Sequence, residues 1–243
     1  MGEVTNFNTN TCWAFYLGTI DYQAASAMQE QLLLARHYGD IPNVLLLLQH
    51  PPIFTLGASG KTNNIIAPRY VLEQEGISVI QSDRGGDVIY HGPGQLVGYL
   101  IFDLELFGMD IYRYVQDIER AIISLLDRLS ISGHIDIEHP GVWVGDKKIC
   151  AIGIRVRHRI TKHGFALNVN PNLNHFSYII PCGIGDKGIT SISQVLGRVM
   201  TVEEILSPIL ECFATTFSID IRTESRQLLE AYLANQSPHL VEA

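Results

Sequence analysis

The sequence is poor in charge. Only 17% of its 243 residues are Asp, Glu, Lys or Arg, and the formal balance is −8. A chain that binds nucleic acid through general phosphate neutralisation is therefore not expected. The four cysteines, Cys12, Cys150, Cys182 and Cys212, form no C-x-x-C pair, which removes zinc ribbons and thioredoxin-like redox sites from consideration. No G-x-x-x-x-G-K-[ST] phosphate loop occurs. No apolar run reaches the about 18 residues of a membrane span. The first residues, MGEVTNFNTNTCWAF, have neither a basic leader nor a continuous apolar stretch, and Asn6 stands where an acylation signal needs Ser or Thr. The expectation is a soluble, cytoplasmic protein with free thiols and with neither membrane nor nucleic acid among its partners.

What the chain has is apolar material, 47% of the sequence, enough for a core without disulfides or metal. Asp21 is positioned to cap a helix that Gly39 ends. Residues 42–50, PNVLLLLQH, read as a strand buried on both faces, stopped by Pro51 and Pro52. A short strand and glycine-rich loop over 53–64, a helix over 68–75 and a strand over 77–83 follow. Two β-rich runs, DVIYH and LVGYLIFDL, flank Gly92-Pro93-Gly94, which predicts a hairpin. Asp110 caps a helix with an apolar stripe at Tyr114, Val115, Ile118, Ile122, Leu125, Leu126 and Leu129, closed by Gly133. Residues 134–170 are β-rich, with a hairpin turn at Gly145-Asp146. Thr201 and Glu204 form a capping box for a helix to Phe217, with Pro208 at a kink or break, and a further helical pattern runs from Leu228 to Ala234. Antiparallel groups of strands with helices between them imply an α+β fold rather than a doubly wound sheet, in one domain spanning 1–243.

Chemistry is concentrated between Gly141 and Gly185. Cys182 lies between Pro181 and Gly183, flanks that suit a sharp turn and let an acyl group approach the backbone. A thiol reacts as thiolate, and a nearby ammonium favours that form. Lys148 is the candidate cation. Alternation in a strand sends Lys147 and Lys148 to opposite faces, so one of the two can face a pocket. Cys12, in a polar terminal segment, and Cys150 and Cys212, in apolar patterns, read as structural. The glycine-rich stretch from Arg84 to Gly94 is either hairpin punctuation or a loop that brings backbone N–H groups and Arg84 to an anion or a carbonyl. His91 and His163 read as hydrogen-bonded structural residues. His134, Asp136 and Glu138 share a face at period two, a spacing that a solvent-facing strand explains as well as a metal site does.

RGGDVIYHGPGQLVGYLIFDL resembles the RGGxxTxHGPGQ block of the lipoyl(octanoyl) transferases of lipoate assembly. LLQHPPIFTLG, GVWVGDKKICAIGIRVRHRITKHGFALNVN and IIPCGIGDKGITSISQVLG resemble that family's other blocks, in the same order, over about residues 43–197. The resemblance implies a biotin/lipoate protein ligase-like fold, a mixed β-sheet with flanking helices. It implies transfer of an octanoyl (or lipoyl) group from acyl carrier protein to a lysine of a lipoyl domain, on 2-oxoacid dehydrogenase complexes or the glycine cleavage H protein. Cys182 would carry the acyl group as thioester and Lys148 would lower its pKa. No cofactor and no metal are implied. The substrate contacts implied are Arg84, Gly85, Gly86, Asp87, Val88, Ile89, Tyr90 and His91, then Ala151, Ile152 and Gly153, then Gly164, Phe165 and Ala166. Ile89 replaces the family's threonine, and Leu100 replaces a common proline.

Thioester exchange followed by amide formation needs no ATP. An ATP-dependent lipoate or biotin ligase would instead require an adenylate loop. An acyl-binding module with an inert thiol would hold the acyl group without a covalent adduct, and a thioesterase would pass it to water. A basic run from Lys147 to Lys162 holds six basic residues and no acidic one. Arg155, Arg157 and Arg159 alternate within it, which predicts one strand face that either steers acidic partners or guards a sheet edge.

Overall fold

A computed structural model of the chain describes residues 10–180 and 187–235. Within these residues, twelve strands and six α-helices follow one another as β1 (Thr11–Thr19), α1 (Tyr22–Tyr38), β2 (Asn43–Gln49), β3 (Ile53–Leu56), α2 (Arg69–Gln74), β4 (Ser78–Gln81), β5 (Val88–His91), β6 (Gln95–Ile101), α3 (Ile111–Arg128), β7 (His134–Ile135), β8 (Val142–Val144), β9 (Lys147–Arg157), β10 (Ile160–Asn168), β11 (Gly188–Ile189), α4 (Ile192–Leu196), α5 (Leu206–Phe217), β12 (Asp220–Thr223) and α6 (Arg226–Asn235). The large sheet runs β12-β1-β2-β6-β10-β9-β8-β7, with β11 beside β9, and the small one runs β4-β3-β5. The first three strands of the large sheet are parallel, while those from β2 to β8 pair antiparallel.

The apolar run of β2 is buried because helices cover both faces of the large sheet. Leu45 and Leu47 enter a core shared with α3 and α5, whereas Val44, Leu46 and Leu48 enter a second core under α1 and α6. Period-two alternation divides one leucine run between two layers, and each fully buried leucine contributes about 1.5–3 kcal/mol. Helix α1 begins where the Asp21 carboxylate accepts the amides of Gln23 and Ala24, and it ends at Gly39. Helix α3 begins at Asp110, which accepts the Arg113 amide. It ends at Arg128 with Ser130 left-handed, five residues short of the expected close at Gly133. Pro208 falls in the first turn of α5, directly after a 3-10 turn over Glu203–Ile205, where its missing N–H is not needed. Three strands are not foreseen by the sequence pattern: β1, the short β11, and β12 at the sheet edge between α5 and α6. Cys12 belongs to β1 and is buried, not in a polar terminal segment.

The hairpin expected across Gly92-Pro93-Gly94 does not form. The turn exists, with the Gln95 amide donating to Gly92 O at 3.1 Å. However, β5 pairs with β3 in the small sheet and β6 pairs with β2 and β10 in the large one. The turn is thus a corner at which the chain passes from one sheet to the other. The shared face expected for the three arginines is also corrected. Arg155 and Arg157 lie in β9, but His158 and Arg159, both at positive φ, make the β9–β10 turn. Arg157 pairs with Glu30 at 3.2 Å, and Arg159 pairs with Glu105.

Candidate active site

The cleft lies where the two sheets meet. Loop 84–87, which leads into β5, is fastened on three sides. The Arg84 guanidinium donates to Thr55 O (2.5 Å), Thr55 Oγ1 (2.8 and 3.1 Å), Asp87 O (2.7 Å) and Gly85 O (2.9 Å). The amides of Gly57, Ala58 and Ser59 donate to the carbonyls of Asp87, Arg84 and Gly86. The Gly85 amide donates to Ile154 O of β9 at 2.9 Å. A Cβ on Gly57 would lie 2.2 Å from Gly86 O, so only glycine permits this approach. Asp87 Oδ1 accepts the amides of Lys61 and Val88, and its Oδ2 accepts from Asn64. Arg84 therefore spends its donors on organising its own loop, while its side chain also walls the cleft.

The cleft has two neighbouring chambers with Ile89, Ala151 and Ala166 as common walls. The first encloses about 330 Å³ including its mouth, and Val88, Tyr90, Lys148, Phe176, Ile179 and Ile189 are among its walls. The second, of about 250 Å³, is bounded by Tyr22, Arg84, His91, Tyr99, Gly153, His163, Gly164 and Phe165. Its two histidines, His91 and His163, and His50 beside Tyr99 are held neutral. His50 Nδ1 donates to Ile20 O at 2.7 Å, which leaves Nε2 to accept from Tyr99 Oη at 2.8 Å. Burial lowers the His50 pKa to about 4. His91 donates to Gln95 Oε1 at 2.9 Å, and burial holds its pKa well below the ordinary value. His163, at φ 60°, contacts Asp83 Oδ1 through Nε2 at 2.8 Å. Its buried Nδ1 has no hydrogen-bond partner. Burial lowers His163, against the opposing pull of Asp83. The hydrogen bond from His163 and the Lys162 ammonium hold Asp83 far below the usual carboxylate range.

Lys148 is the lysine that faces the cleft. Lys147 is exposed, whereas Lys148 is buried. Simple alternation would set Lys148 on the opposite face from Ala151 and Gly153. The pairing of β8 with β9 skips Ile149, since Val142 opposes Cys150 and Trp143 opposes Lys148. This bulge re-aims the lysine onto the cleft side. Its Nζ donates to Pro140 O at 3.1 Å and lies 4.8 Å from the centre of the Trp143 ring, which also carries the Lys187 ammonium at 4.7 Å.

Of the residues singled out from sequence, Arg84, Val88, Ile89, Tyr90, His91, Lys148, Ala151, Gly153, Gly164, Phe165 and Ala166 line the two chambers. Gly85, Gly86 and Asp87 stand behind them as loop structure. Ile152 points away, against the main core. Cys182 falls outside the described residues. The chain on either side of its segment is described: Ile179 and Ile189 both line the first chamber, and β11 runs beside Lys147 and Lys148. Ile89 supplies an apolar wall where the family has a hydroxyl, and Leu100 packs against Gly164. The sequence pattern does not reveal Tyr22, Gln95, Tyr99, Asn168, Phe176, Ile179 and Ile189 as cleft residues. Among these, Gln95 and Asn168 bond to one another at 2.9 Å, and an amide pair inside apolar strand patterns was the available signal.

Cys12, Cys150 and Cys212 are buried, and burial pushes all three thiols up, as suits structural residues. Asp136 holds the amides of Glu138 and His139 and pairs with Lys187. Among the described residues no three His, Cys, Asp or Glu side chains gather as a metal site would need, and no helix is long and apolar enough to cross a membrane.

Residues 21–214 match the lipoyl protein ligase A/B catalytic domain. An octanoyltransferase of Caldicellulosiruptor saccharolyticus is 45% identical over 91% of this chain and 94% of its own length. An octanoyltransferase of Desulforamulus reducens is 44% identical over 84% and 90%. Among solved structures, lipoate-protein ligase A bound with ATP superposes with a TM-score of 0.75 at 18% identity, covering 93% of each chain. A putative lipoate protein ligase from Thermoplasma acidophilum gives 0.74 at 19%, again over 93% of each. The fold is thus that of the lipoate ligases, while the sequence lies much nearer the transferases. The chain belongs to the lipoyl protein ligase A/B catalytic-domain family and, within it, to the octanoyltransferases.

Proposed function

We propose that the protein moves an octanoyl group from acyl carrier protein to a lysine of a lipoyl domain, with Cys182 as the acyl carrier and Lys148 as its activating cation. The acceptors are the lipoyl domains of 2-oxoacid dehydrogenase complexes and the glycine cleavage H protein. The observation that carries this reading is the placement of Lys148. It is a buried ammonium in the wall of an otherwise largely apolar chamber. Ile179 and Ile189, on either side of the Cys182 segment, line that same chamber.

An ammonium held there favours the thiolate over a thiol whose free pKa is about 8.5. The thiolate attacks the carrier thioester, the new C–S bond forms, and the carrier thiolate leaves with the proton of the Lys148 ammonium. The acceptor amine then attacks the Cys182 thioester, the amide C–N bond forms, and Cys182 leaves as thiolate. Lys148, left neutral by the first transfer, accepts the proton that the amine loses and is an ammonium again. Thioester exchange is close to neutral in free energy and amide formation is downhill, so the sequence closes without ATP. The apolar walls Val88, Ile89, Phe176 and Ile179 suit the acyl tail, for each buried methylene contributes about 0.8 kcal/mol.

Mixing the protein with octanoyl-carrier and measuring intact mass yields a single octanoyl adduct that maps to Cys182 and transfers to a lipoyl domain without ATP. Cys182→Ala gives no adduct, and Lys148→Ala abolishes transfer. Turnover by Cys182→Ala, or a requirement for ATP, overturns this reading. An adduct lost to water without an acceptor domain would instead mark a thioesterase.

A further inference from the structure

Glu119 is a carboxylate in the middle of α3, 2% exposed, on the side of the helix that packs into the main core. Nothing in the chemistry above uses it. Its Oε1 accepts the Gly141 amide at 2.8 Å. On the same peptide group, the Pro140 carbonyl accepts from Lys148 Nζ at 3.1 Å. One planar trans unit thus joins a carboxylate at its N–H end to an ammonium at its C=O end. The geometry is close-packed, for a Cβ on Gly141 would lie 2.5 Å from Cys150 O and 3.5 Å from Lys148 Cε.

We propose that Glu119 is a positioning residue for Lys148, acting through the Pro140–Gly141 peptide group. A carboxylate at the N–H draws the proton toward itself and raises electron density on the carbonyl oxygen. The carbonyl then becomes a stronger acceptor for an ammonium than a neutral peptide would be. The bridge fixes where Nζ sits and places a carboxylate's charge one peptide group away from it. Among the described residues, the other charges near Lys148 are engaged elsewhere. Lys187 lies over the same Trp143 ring and repels Lys148, although it is itself paired with Asp136, with His139 alongside. Cys150, next along β9, is a buried thiol held neutral. Arg120, adjacent to Glu119 in α3, pairs with Asp117 at 2.8 Å. Burial raises the Glu119 pKa, and the Gly141 amide and the charges of Lys148 and Arg120 oppose that rise.

The inference rests on the role given to Lys148 above, and its test separates the two. Glu119→Gln keeps an oxygen for the Gly141 amide and removes only the charge. In the full-length protein, ¹⁵N NMR of the lysine Nζ groups, with Lys148 assigned from Lys148→Arg, reads its titration midpoint directly. Glu119→Gln is expected to lower that midpoint by about one unit and to reduce kcat about tenfold, with KM for the lipoyl domain unchanged. In the unsubstituted protein the Gly141 amide shift is expected to follow the Lys148 midpoint, a measurement that needs no variant to fold. An unchanged midpoint in Glu119→Gln, or a Gly141 amide that is silent as Lys148 titrates, overturns the bridge. Undiminished turnover by Lys148→Ala overturns the catalytic reading of Lys148 and leaves the NMR result standing.

Discussion

Arg84→Lys keeps the charge beside the cleft and removes the fork. In the structure the guanidinium serves four acceptors: Thr55 O, Thr55 Oγ1, Asp87 O and Gly85 O. Three are carbonyls, two from its own loop and one from β3, and the residue is 3% exposed. An ammonium has three donors on one atom at the end of a flexible stem and cannot span them. At least two acceptors lose their partner, and each buried unsatisfied group costs about 1–2 kcal/mol. The loss is about 2–4 kcal/mol, which for a chain of this size lowers Tm by about 5–15 °C. Activity falls further than stability alone would take it. Loop 84–87 sets the start of β5, and β5 presents Ile89 and His91 to the cleft. A displacement of about 1 Å at such a wall costs about a hundredfold in kcat/KM. Thr55→Val, which removes only Oγ1 and leaves the carbonyl, is the graded control, with a loss of about 1 kcal/mol. Calorimetry and octanoyl transfer on the two variants check this. If Arg84→Lys melts within about 2 °C of the parent and keeps its kcat/KM, the guanidinium is not the fastener described here.

Two further outcomes follow from packing and burial. A Cβ at Gly98 would lie 2.1 Å from Phe165 Cε1, and Phe165 is backed by Phe213 at 5.4 Å between ring centres. Gly98→Ala therefore costs about 1–3 kcal/mol by overpacking against a ring of the main core. Phe165→Leu in the same chain restores the stability, and failure of that rescue in urea melts rejects the contact. His50, with its folded pKa lowered to about 4 by burial, is neutral when folded and titrates near 6.5 when unfolded. The unfolded state then binds more protons between those values, so the contribution of His50 is complete above about pH 6.5 and disappears as pH falls toward about 4. Urea unfolding is expected to lose at most about 3 kcal/mol over that window from this group, and His50→Gln to flatten the slope. An unaltered slope in the variant rejects His50 as the source.

Much of the cleft was legible because close backbone approach demands a rare residue type. RGGD, AIG and GFA stand out since glycine and alanine interrupt runs of branched side chains, and each block does meet the others at the seam between the sheets. What escaped was non-local. The Gly92-Pro93-Gly94 turn announces a change of direction but not the partner of the strand that follows, and β5 finds β3 rather than β6 because three-dimensional packing decides pairing. Lys148 was one of two candidates, since alternation cannot foresee a bulge at Ile149. Glu119 could have been found: it sits four residues after Val115 and three before Ile122, on the flank of the apolar stripe of α3, where a solvated carboxylate has no place. Gly133 misled for the opposite reason, because a glycine after a helix suggests a stop, yet Ser130 takes the left-handed turn three residues earlier.

The floor of the cleft shows how one sheet serves both as core and as binding surface. In the β9–β10 register Ala151 opposes Ala166 and Gly153 opposes Gly164, so two adjacent cross-strand pairs carry almost no side chain on the cleft side. Ile152 and Ile154 turn to the other face and pack with the main core. Alternation thus makes a shallow trough on one side of strands whose other side is fully committed to packing. Without the bulge the trough would have no cation, because even-numbered residues from Cys150 to Val156 follow the core face. One extra residue at Ile149 breaks that parity and delivers Lys148 to the end of the trough, where β11 brings the chain back from the segment that holds Cys182. Placing a charge in a buried, otherwise apolar wall is costly, and the Pro140 carbonyl and the Trp143 face offset that cost. The small residues and the bulge therefore form one device: the first opens a trough, the second sets a lysine at its end, and the function proposed above assigns these to the acyl chain and to its reacting end.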